Sequence, residues 1–274
     1  MPLTACRHVR KMRGGAQSHL LEADDGNFYI VKFRNNPQHR RILVNEHVSA
    51  VFLKYLQVSA APAEFVRITP EFLAANPEIF IHLGAQHIPV APGWHFGSRH
   101  PGNPEVLAVY DFIPDALLGG VGNLTDFLAV LVFDKWMANS DGRQSVFFRA
   151  RVEDWQAVVK KAFVAVMIDH GFVFNGPHWD FADSPMQGLY PRKLVYEQVR
   201  SLDDFQPWLD QVVHFPEEIV DRAFRQVPPE WLDGEEDQFE QLLEKLLRRR
   251  ARVPDLIADA RRGRVCLLYT SRCV

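Results

Sequence analysis

The tripeptide Asp25-Gly26-Asn27 separates two segments rich in β-forming residues, 18–25 and 28–35. A glycine between such segments predicts a tight hairpin turn, because glycine adopts backbone conformations that other residues disfavour. After Pro37 the apolar residues recur at helical spacing, and residues 63–69 form a further β-rich run. The first part of the chain is therefore predicted to be β-rich, with one helix.

The middle of the chain is more varied. Residues 70–105 are rich in Pro, Gly and His, which predicts a short helix and a long irregular insertion. The apolar run 106–114 predicts a buried strand that ends at a proline. Residues 124–138 have the spacing of an apolar helix, and two strand-like runs follow at 145–150 and 161–169.

From residue 191 onward the pattern is mostly helical. The whole order predicts an α+β fold of two lobes: a β-rich N-lobe with one helix in residues 1–112, and a mainly helical C-lobe in residues 113–265. A cleft between two such lobes is what a phosphotransferase needs to hold a nucleotide.

Composition limits the partners. The 274 residues are 47% hydrophobic, enough for a sizeable core, and 31 basic against 34 acidic residues provide no overall charge that would favour nucleic acid or membranes. No apolar run has the length of a membrane helix and no secretory signal opens the chain, which predicts a cytoplasmic protein. Cys6, Cys266 and Cys273 match neither a zinc site nor a disulfide framework.

The last nine residues, CLLYTSRCV at 266–274, resemble the translation of a sequencing adapter. We identify them as a non-native tail and exclude them from the fold prediction. On this interpretation the natural C-terminus is missing or misread from about Val265.

Lys32 lies among apolar residues in a predicted strand. Burying its ammonium is costly unless it meets an anion, such as a nucleotide phosphate. Glu46, in the following helix, could pair with Lys32 and hold it toward that phosphate. Taken singly, each residue is better explained by a solvent-exposed position, because charged side chains are mostly exposed.

Two further features fit the same chemistry. Gly14 and Gly15 form a turn that leads to Ser18, and backbone N–H groups of such turns can bind phosphates, although ordinary turns use the same residues. Asp141 follows a predicted helix and Asp169 ends an apolar strand. Two such carboxylates can face one cleft, one orienting a hydroxyl and the other binding magnesium, although each alone is compatible with a turn.

The histidines and the charged C-terminal part of the chain each allow an alternative interpretation. Histidines at 82, 87, 95, 100, 170 and 178 suggest a metal hydrolase, but their spacing matches no zinc motif, so we expect solvent-exposed loop histidines. The acidic residues 201–247 and the arginines that follow them predict a solvated helical face, with partner docking as the alternative.

The motifs GGAQSHLL, YIVKF, VNEHVSAVFL, FDKWMANSDGRQ and MIDHGF resemble the HipA-like kinases, specifically small stand-alone bacterial members, over residues 14–231. The resemblance implies ATP and Mg²⁺ as ligands and transfer of the γ-phosphoryl group to a protein Ser or Thr, which includes autophosphorylation. A small-molecule hydroxyl would use the same residues.

The resemblance also implies roles for particular residues. Lys32 would contact the nucleotide phosphates, Glu46 would pair with it, Asp141 would be the catalytic aspartate and Asp169 would bind magnesium. The residues expected to line the hinge around the adenine are Val109, Tyr110, Asp111 and Phe112.

One position departs from the kinase pattern. The second metal ligand is usually an asparagine five residues after the catalytic aspartate, where this chain has Val146. We predict Gln144 as the substitute ligand, because its amide oxygen is of the same chemical type, with Asn139 and Arg143 holding the loop and its charge. The alternative is a catalytically inactive pseudokinase that binds nucleotide and acts through interactions.

Overall fold

The computed structural model describes residues 3–153 and 159–262, so the predicted non-native tail lies outside the described residues. The strands are β1 (Leu3–Lys11), β2 (His19–Ala23), β3 (Phe28–Lys32), β4 (Ala63–Ile68), β5 (Phe80–Leu83), β6 (Gln86–Pro89), β7 (Gly93–Arg99), β8 (Gln144–Glu153) and β9 (Val159–Ile168). The helices are α1 (Arg41–Tyr55), α2 (Pro70–Ala75), α3 (Asp115–Leu118), α4 (Asp126–Met137), α5 (Trp208–Val213), α6 (Glu217–Gln226), α7 (Pro229–Leu232), α8 (Glu236–Arg249) and α9 (Val253–Arg262).

The N-terminal lobe is a closed barrel with strand order β1-β2-β3-β7-β4, and the parallel pairing of β1 with β4 closes it. The predicted hairpin is confirmed: β2 pairs with β3, and Gly26 between them has a φ of 73°. The Asp25 carboxylate accepts the backbone N–H of Asn27 at 3.0 Å, which stabilises the turn.

The prediction of a long irregular insertion at residues 70–105 is wrong. This segment contains α2, the β5–β6 hairpin and β7, and β7 lies in the barrel between β3 and β4. In β7 the residues Gly93 and Gly97 flank a short run of three residues, so the sequence shows no alternation of apolar and polar residues that would predict a strand. Gly97 is required there, because a Cβ atom at this position would lie 2.6 Å from Cγ2 of Val66 on β4.

The prediction of a buried strand at residues 106–114 is also wrong. Only Tyr110 pairs with a strand residue, exchanging two backbone hydrogen bonds of 2.8 Å with Phe147, and Phe112 is 65% exposed. Prolines at 104 and 114, which lack the N–H that a sheet requires, bound the segment. It connects the barrel to the second lobe as a link of turns and loop rather than as a sheet strand.

Helix α1 is confirmed, and it packs against both lobes. Its residue Phe52 stacks on Trp136 of α4 with ring centroids 5.4 Å apart and contacts Phe215 at 4.8 Å. On the barrel side, the ring of His47 packs against Phe65 of β4 in a tilted arrangement, with centroids 4.9 Å apart. Because α1 shares its buried face with the helical lobe, its position depends on the packing of that lobe as well as on the barrel.

The helical lobe is built around α4, whose side chains are almost all buried. The hairpin β8–β9 extends from its end, with Gln144 opposite Ile168, as the two strand-like runs predict. Among the described residues, no helix has both the length and the apolar character needed to span a membrane.

The arginines at the C-terminal end of α8 are not simply a solvated face. Arg249 is buried, donates hydrogen bonds to the backbone carbonyls of Trp136 and Lys135 at the end of α4, and forms an ion pair with Asp183. This guanidinium satisfies carbonyl groups that the helix end leaves without partners. The solvated-face prediction is therefore wrong for Arg249.

We predict that Gly97→Ala lowers the free energy of unfolding by about 1–3 kcal/mol, because the new methyl group overlaps Val66 and β7 cannot move away from β4 without losing backbone hydrogen bonds. Chemical denaturation followed by circular dichroism measures the change. Gly120→Ala is the matched control, since its Cβ would have its nearest neighbour at 3.6 Å. Equal effects of the two substitutions would contradict the prediction.

Candidate active site

Lys32, Glu46 and Asp169 meet at one end of the barrel. Lys32 ends β3 and is only 8% exposed, and its ammonium forms an ion pair with Glu46 on α1. The same ammonium donates a 2.7 Å hydrogen bond to the Asp169 carboxylate, which follows β9. Three elements from both lobes therefore place their charged groups around one nitrogen atom.

The charges of this cluster influence one another. Burial alone disfavours the charged ammonium, but the carboxylates of Glu46 and Asp169 outweigh it and raise the pKa of Lys32 above its usual value. Burial raises the pKa of Glu46, whereas the ammonium of Lys32 overcomes burial at Asp169 and lowers the pKa of that carboxyl. The cluster therefore holds a charged lysine beside an ionised Asp169.

The glycine turn lies at the same end of the barrel. The N–H of Met12 donates to the carbonyl of Ser18 at 2.8 Å, closing the turn that contains Gly14 and Gly15. The register places His19 opposite Val31, so Ser18 lies near Lys32. The predicted phosphate-binding role of Gly14, Gly15 and Ser18 stays a prediction.

A neighbouring hairpin holds this turn in place. The side chain of Gln17 accepts the N–H of His82 at 2.8 Å and donates to the carbonyl of the same residue at 2.7 Å. The Gln17 side chain thus bonds both the N–H and the carbonyl of His82, as a residue of a paired strand would, and β5 supports the glycine turn. Part of the histidine-rich segment thus serves the loop that borders the site.

Asp141 lies in the loop after α4, with its side chain exposed. Its carboxylate accepts the N–H of Gly142 at 2.8 Å. Asn139 is fully buried below it, donates to Asp134 at 2.9 Å and accepts the N–H of Asp141 at 3.2 Å. Asn139 therefore shapes the loop from inside and leaves the carboxylate of Asp141 facing outward.

Arg143 is also buried. Its guanidinium pairs with Asp134, with an Nε to Oδ2 distance of 2.8 Å, and donates to the carbonyl of Ile168 at 2.8 Å and to Nδ1 of His170 at 3.0 Å. Arg143 thus links the loop of Asp141 to the segment that carries Asp169. Asn139 and Arg143 are both buried, which fits residues that hold the loop of Asp141, and their part in the reaction stays a prediction.

Gln144 lies between the two aspartates. Its Nε2 atom is 3.4 Å from Oδ2 of Asp141 and 3.2 Å from Oδ2 of Asp169. This follows from the register of the hairpin, because Gln144 lies opposite Ile168, the residue before Asp169. Val146 is buried in β8 opposite Val166, so its side chain belongs to the core.

The predicted hinge residues 109–112 lie in the link between the lobes. Tyr110 is half-exposed, and the ring of Phe112 lies 4.7 Å from the guanidinium carbon of Arg192. Arg192 also donates to the carbonyl of Ile113 at 2.5 Å. The link is therefore fixed to the helical lobe, whereas adenine binding by Val109, Tyr110, Asp111 and Phe112 stays a prediction.

The histidines are mostly structural. His82 and His87 are exposed as predicted, but His95, His100 and His170 are buried, so their prediction as solvated loop residues is wrong. Nδ1 of His95 accepts the N–H of Arg34, and burial lowers the pKa of His95 to about 3. Within residues 3–153 and 159–262, no group of three or more His, Cys, Asp or Glu side chains is arranged to hold a metal ion.

The sequence prediction missed two buried polar residues near the site. Asn45 on α1 and Asp134 on α4 are both fully buried, in helices whose other buried residues are largely apolar. A polar residue among apolar ones on a helix is the signal that could have identified them, since buried polar groups require hydrogen-bond partners.

The fold defines the class of protein. Two solved structures of the Golgi casein kinase resemble the chain with TM-scores of 0.55 and 0.52 at 14% and 12% identity. Each comparison covers 97% of this chain, and 73% and 74% of the respective kinase chains; the second of these structures has Mn and ADP bound. The predicted two-lobed protein-kinase-like fold is thereby confirmed.

A family assignment follows from the sequence itself. The family model of the HipA-like kinases matches residues 7–253, and the chain belongs to this family. A comparison with curated proteins gave no match. The resemblance to the HipA-like kinases inferred from the motifs is thus confirmed at the level of the family, and the protein is a kinase-type phosphotransferase.

We predict that Arg143→Met lowers the free energy of unfolding by about 3–5 kcal/mol, because it leaves the carboxylate of Asp134 buried without its ion-pair partner. Urea denaturation measures the change. Arg248→Met removes an exposed arginine paired with Glu244 and should leave stability almost unchanged. A small effect of Arg143→Met would show that the buried ion pair contributes little.

We predict that stability falls as the pH drops below about 6.5, the usual pKa of histidine in unfolded chains. Burial lowers the pKa of His47 to about 4, so the unfolded chain binds protons that the folded chain does not. His47→Phe should flatten the decline in unfolding free energy between pH 7 and pH 5, measured by urea denaturation. His87→Gln, at an exposed position, should not. Parallel curves for all three proteins would contradict the prediction.

Proposed function

We propose that the protein is an ATP- and magnesium-dependent kinase that transfers the γ-phosphoryl group to the hydroxyl of a protein Ser or Thr. The observation that carries this proposal is the contact of Lys32 with both Glu46 and Asp169, beside an exposed Asp141. The family assignment supports the reaction type. The Mn and ADP bound to one Golgi casein kinase structure support a nucleotide and a divalent metal as ligands.

The nucleotide phosphates would bind between Lys32 and the glycine turn. Lys32 is charged, because its pKa is raised, and it lies at the barrel end beside Ser18. Backbone N–H groups of Gly14 and Gly15 would complete this phosphate site. Residues 109–112 would then contact the adenine from the link between the lobes.

The donor atoms beside Lys32 fit a magnesium ion. Mg²⁺ prefers oxygen ligands and is commonly held by one or two carboxylates together with substrate phosphates. Asp169 supplies a carboxylate, and the amide nitrogen of Gln144 lies 3.2 Å from it. Turning that amide about its last side-chain bond would present Oε1 to a cation. When bound, the metal would neutralise charge on the phosphates.

Asp141 would orient the acceptor. Its exposed carboxylate would accept the proton of the substrate hydroxyl as the hydroxyl oxygen forms a bond to the γ-phosphorus. The bond from that phosphorus to the oxygen of the β-phosphate breaks, which releases ADP. Asn139 and Arg143 hold the loop from below, so the carboxylate keeps its orientation during this exchange.

A pseudokinase is the second candidate, and a specific observation favours it. Val146 occupies the place of the usual asparagine ligand and is buried in the hairpin, so this position provides no oxygen ligand. If Gln144 does not replace that ligand, the same cleft would bind nucleotide without turnover.

We predict that the unmodified protein transfers phosphate from γ-labelled ATP in the presence of Mg²⁺, to itself or to an added protein. Asp141→Asn and Asp169→Asn should each lower the rate about a hundredfold or more, because each removes a carboxylate that faces the reaction. Phosphate release and intact mass measure turnover and autophosphorylation. The control is Asp221→Asn, at an exposed position on α6.

The outcomes separate the two candidates. Turnover that survives in the Asp221 variant and is lost in the other two, with all of them folded, supports the kinase. Nucleotide binding by calorimetry without turnover supports the pseudokinase. Absence of nucleotide binding by the folded unmodified protein would overturn both candidates.

A further inference from the structure

Asn45, the residue before Glu46 on α1, makes a set of hydrogen bonds that the proposed reaction does not use directly. Its side chain is fully buried. The Nδ2 atom donates to the backbone carbonyls of Gly171, Val173 and Gly176 at 2.7, 3.0 and 3.0 Å. One amide group therefore contacts three carbonyls of the segment that follows Asp169.

The orientation of this amide is determined by a fourth bond. The indole Nε1 of Trp179 donates to Oδ1 of Asn45 at 2.9 Å. Trp179 in turn contacts the guanidinium of Arg41, whose central carbon lies 4.3 Å from the ring centroid. Because Oδ1 receives the indole proton, Nδ2 faces the three carbonyls.

The segment held by Asn45 has an unusual backbone. Asp169, Phe174 and Asn175 have φ angles of 58°, 57° and 56°, in the left-handed region that residues with a side chain seldom adopt. Such conformations persist only where the surrounding contacts hold them. Asp169 itself is one of these residues, so the position of its carboxylate depends on those contacts.

The same segment lies directly against α1. A Cβ atom at Gly171 would be 2.5 Å from Cγ2 of Ile42 and 3.4 Å from Oε1 of Glu46. The N–H of His170 also donates to the Glu46 carboxylate. Ile42 and Glu46, which lie one turn apart on α1, thus contact the chain at His170 and Gly171.

We propose that Asn45 is a positioning residue that holds the backbone after Asp169 and thereby sets the affinity of the metal site. The inference rests on the proposed function, since it assumes that Asp169 binds the metal. Without the amide, three buried carbonyls lose this donor, and the segment with left-handed residues that begins at Asp169 loses contacts that maintain it. The carboxylate then no longer points consistently toward the other donors.

The test uses the full chain with Mn²⁺ as the probe. Electron paramagnetic resonance of free Mn²⁺, in the presence of saturating ADP, yields the Kd of the metal for the unmodified protein and for Asn45→Ala. We expect the Kd to rise about tenfold or more, the usual effect of removing a group that orients a metal ligand. The Kd of ADP in EDTA should change less than about twofold, since Asn45 does not lie at the glycine turn.

A matched control separates positioning from general stability. Asn123 also bridges backbone groups, donating to the carbonyl of Ala165 at 2.8 Å and accepting the N–H of the same residue at 2.9 Å. It lies before α4, at the end of that helix remote from Asp141. Asn123→Ala should lower the melting temperature without changing the Kd of Mn²⁺.

A milder variant covers the case in which Asn45→Ala does not fold. Trp179→Phe keeps an aromatic ring but removes the indole donor to Oδ1 together with part of the ring volume, and it should raise the Kd of Mn²⁺ several-fold by freeing the amide to rotate. An unchanged Kd in the folded variants overturns the proposal while leaving the proposed function intact. If the unmodified protein binds ADP but no Mn²⁺, the metal site fails, and this inference fails with it.

Discussion

The ammonium of Lys32 is buried, and the two carboxylates that keep it there come from distant parts of the chain. Glu46 lies 14 residues away on α1, and Asp169 lies 137 residues away after β9. A buried charge without a partner costs several kcal/mol. The barrel, the helix and the hairpin must therefore assemble together before this nitrogen is satisfied, and the packing of α1 against both lobes supplies the frame for that assembly.

A second layer of buried polar groups supports the first. Arg143 connects Asp134 to the backbone before Asp169, and Asn45 connects α1 to the backbone after it. These groups are enclosed by protein, whereas Asp141 and Gln144 remain exposed. The buried amides and guanidinium groups therefore determine where the loops lie, whereas the exposed side chains remain available for substrate and metal.

The accuracy of the sequence prediction varied with the range of the interactions involved. The β2–β3 hairpin and α1 depend on neighbouring residues, and both were predicted. Strand β7 was missed, because its glycines and histidine have no strand pattern; it forms since β3 and β4 lie on either side of it. The run at 106–114 has a strand composition, yet no strand lies beside it except at Tyr110. His95 is buried because β7 lies in the barrel, so a sequence pattern that does not predict β7 also predicts a solvent-exposed His95.

The sequence by itself determined the β2–β3 hairpin, α1, α4 and the β8–β9 hairpin, together with the residue types at the site: a lysine in a strand, a glutamate in the next helix and two aspartates at loop ends. These properties follow from local periodicity and from the chemistry of the side chains. Only the tertiary structure decided that Asn139 and Arg143 are buried, that Gln144 contacts both aspartates, and that Asn45 holds the loop after Asp169. Those contacts join residues far apart in the chain, and their distances depend on how the two lobes pack.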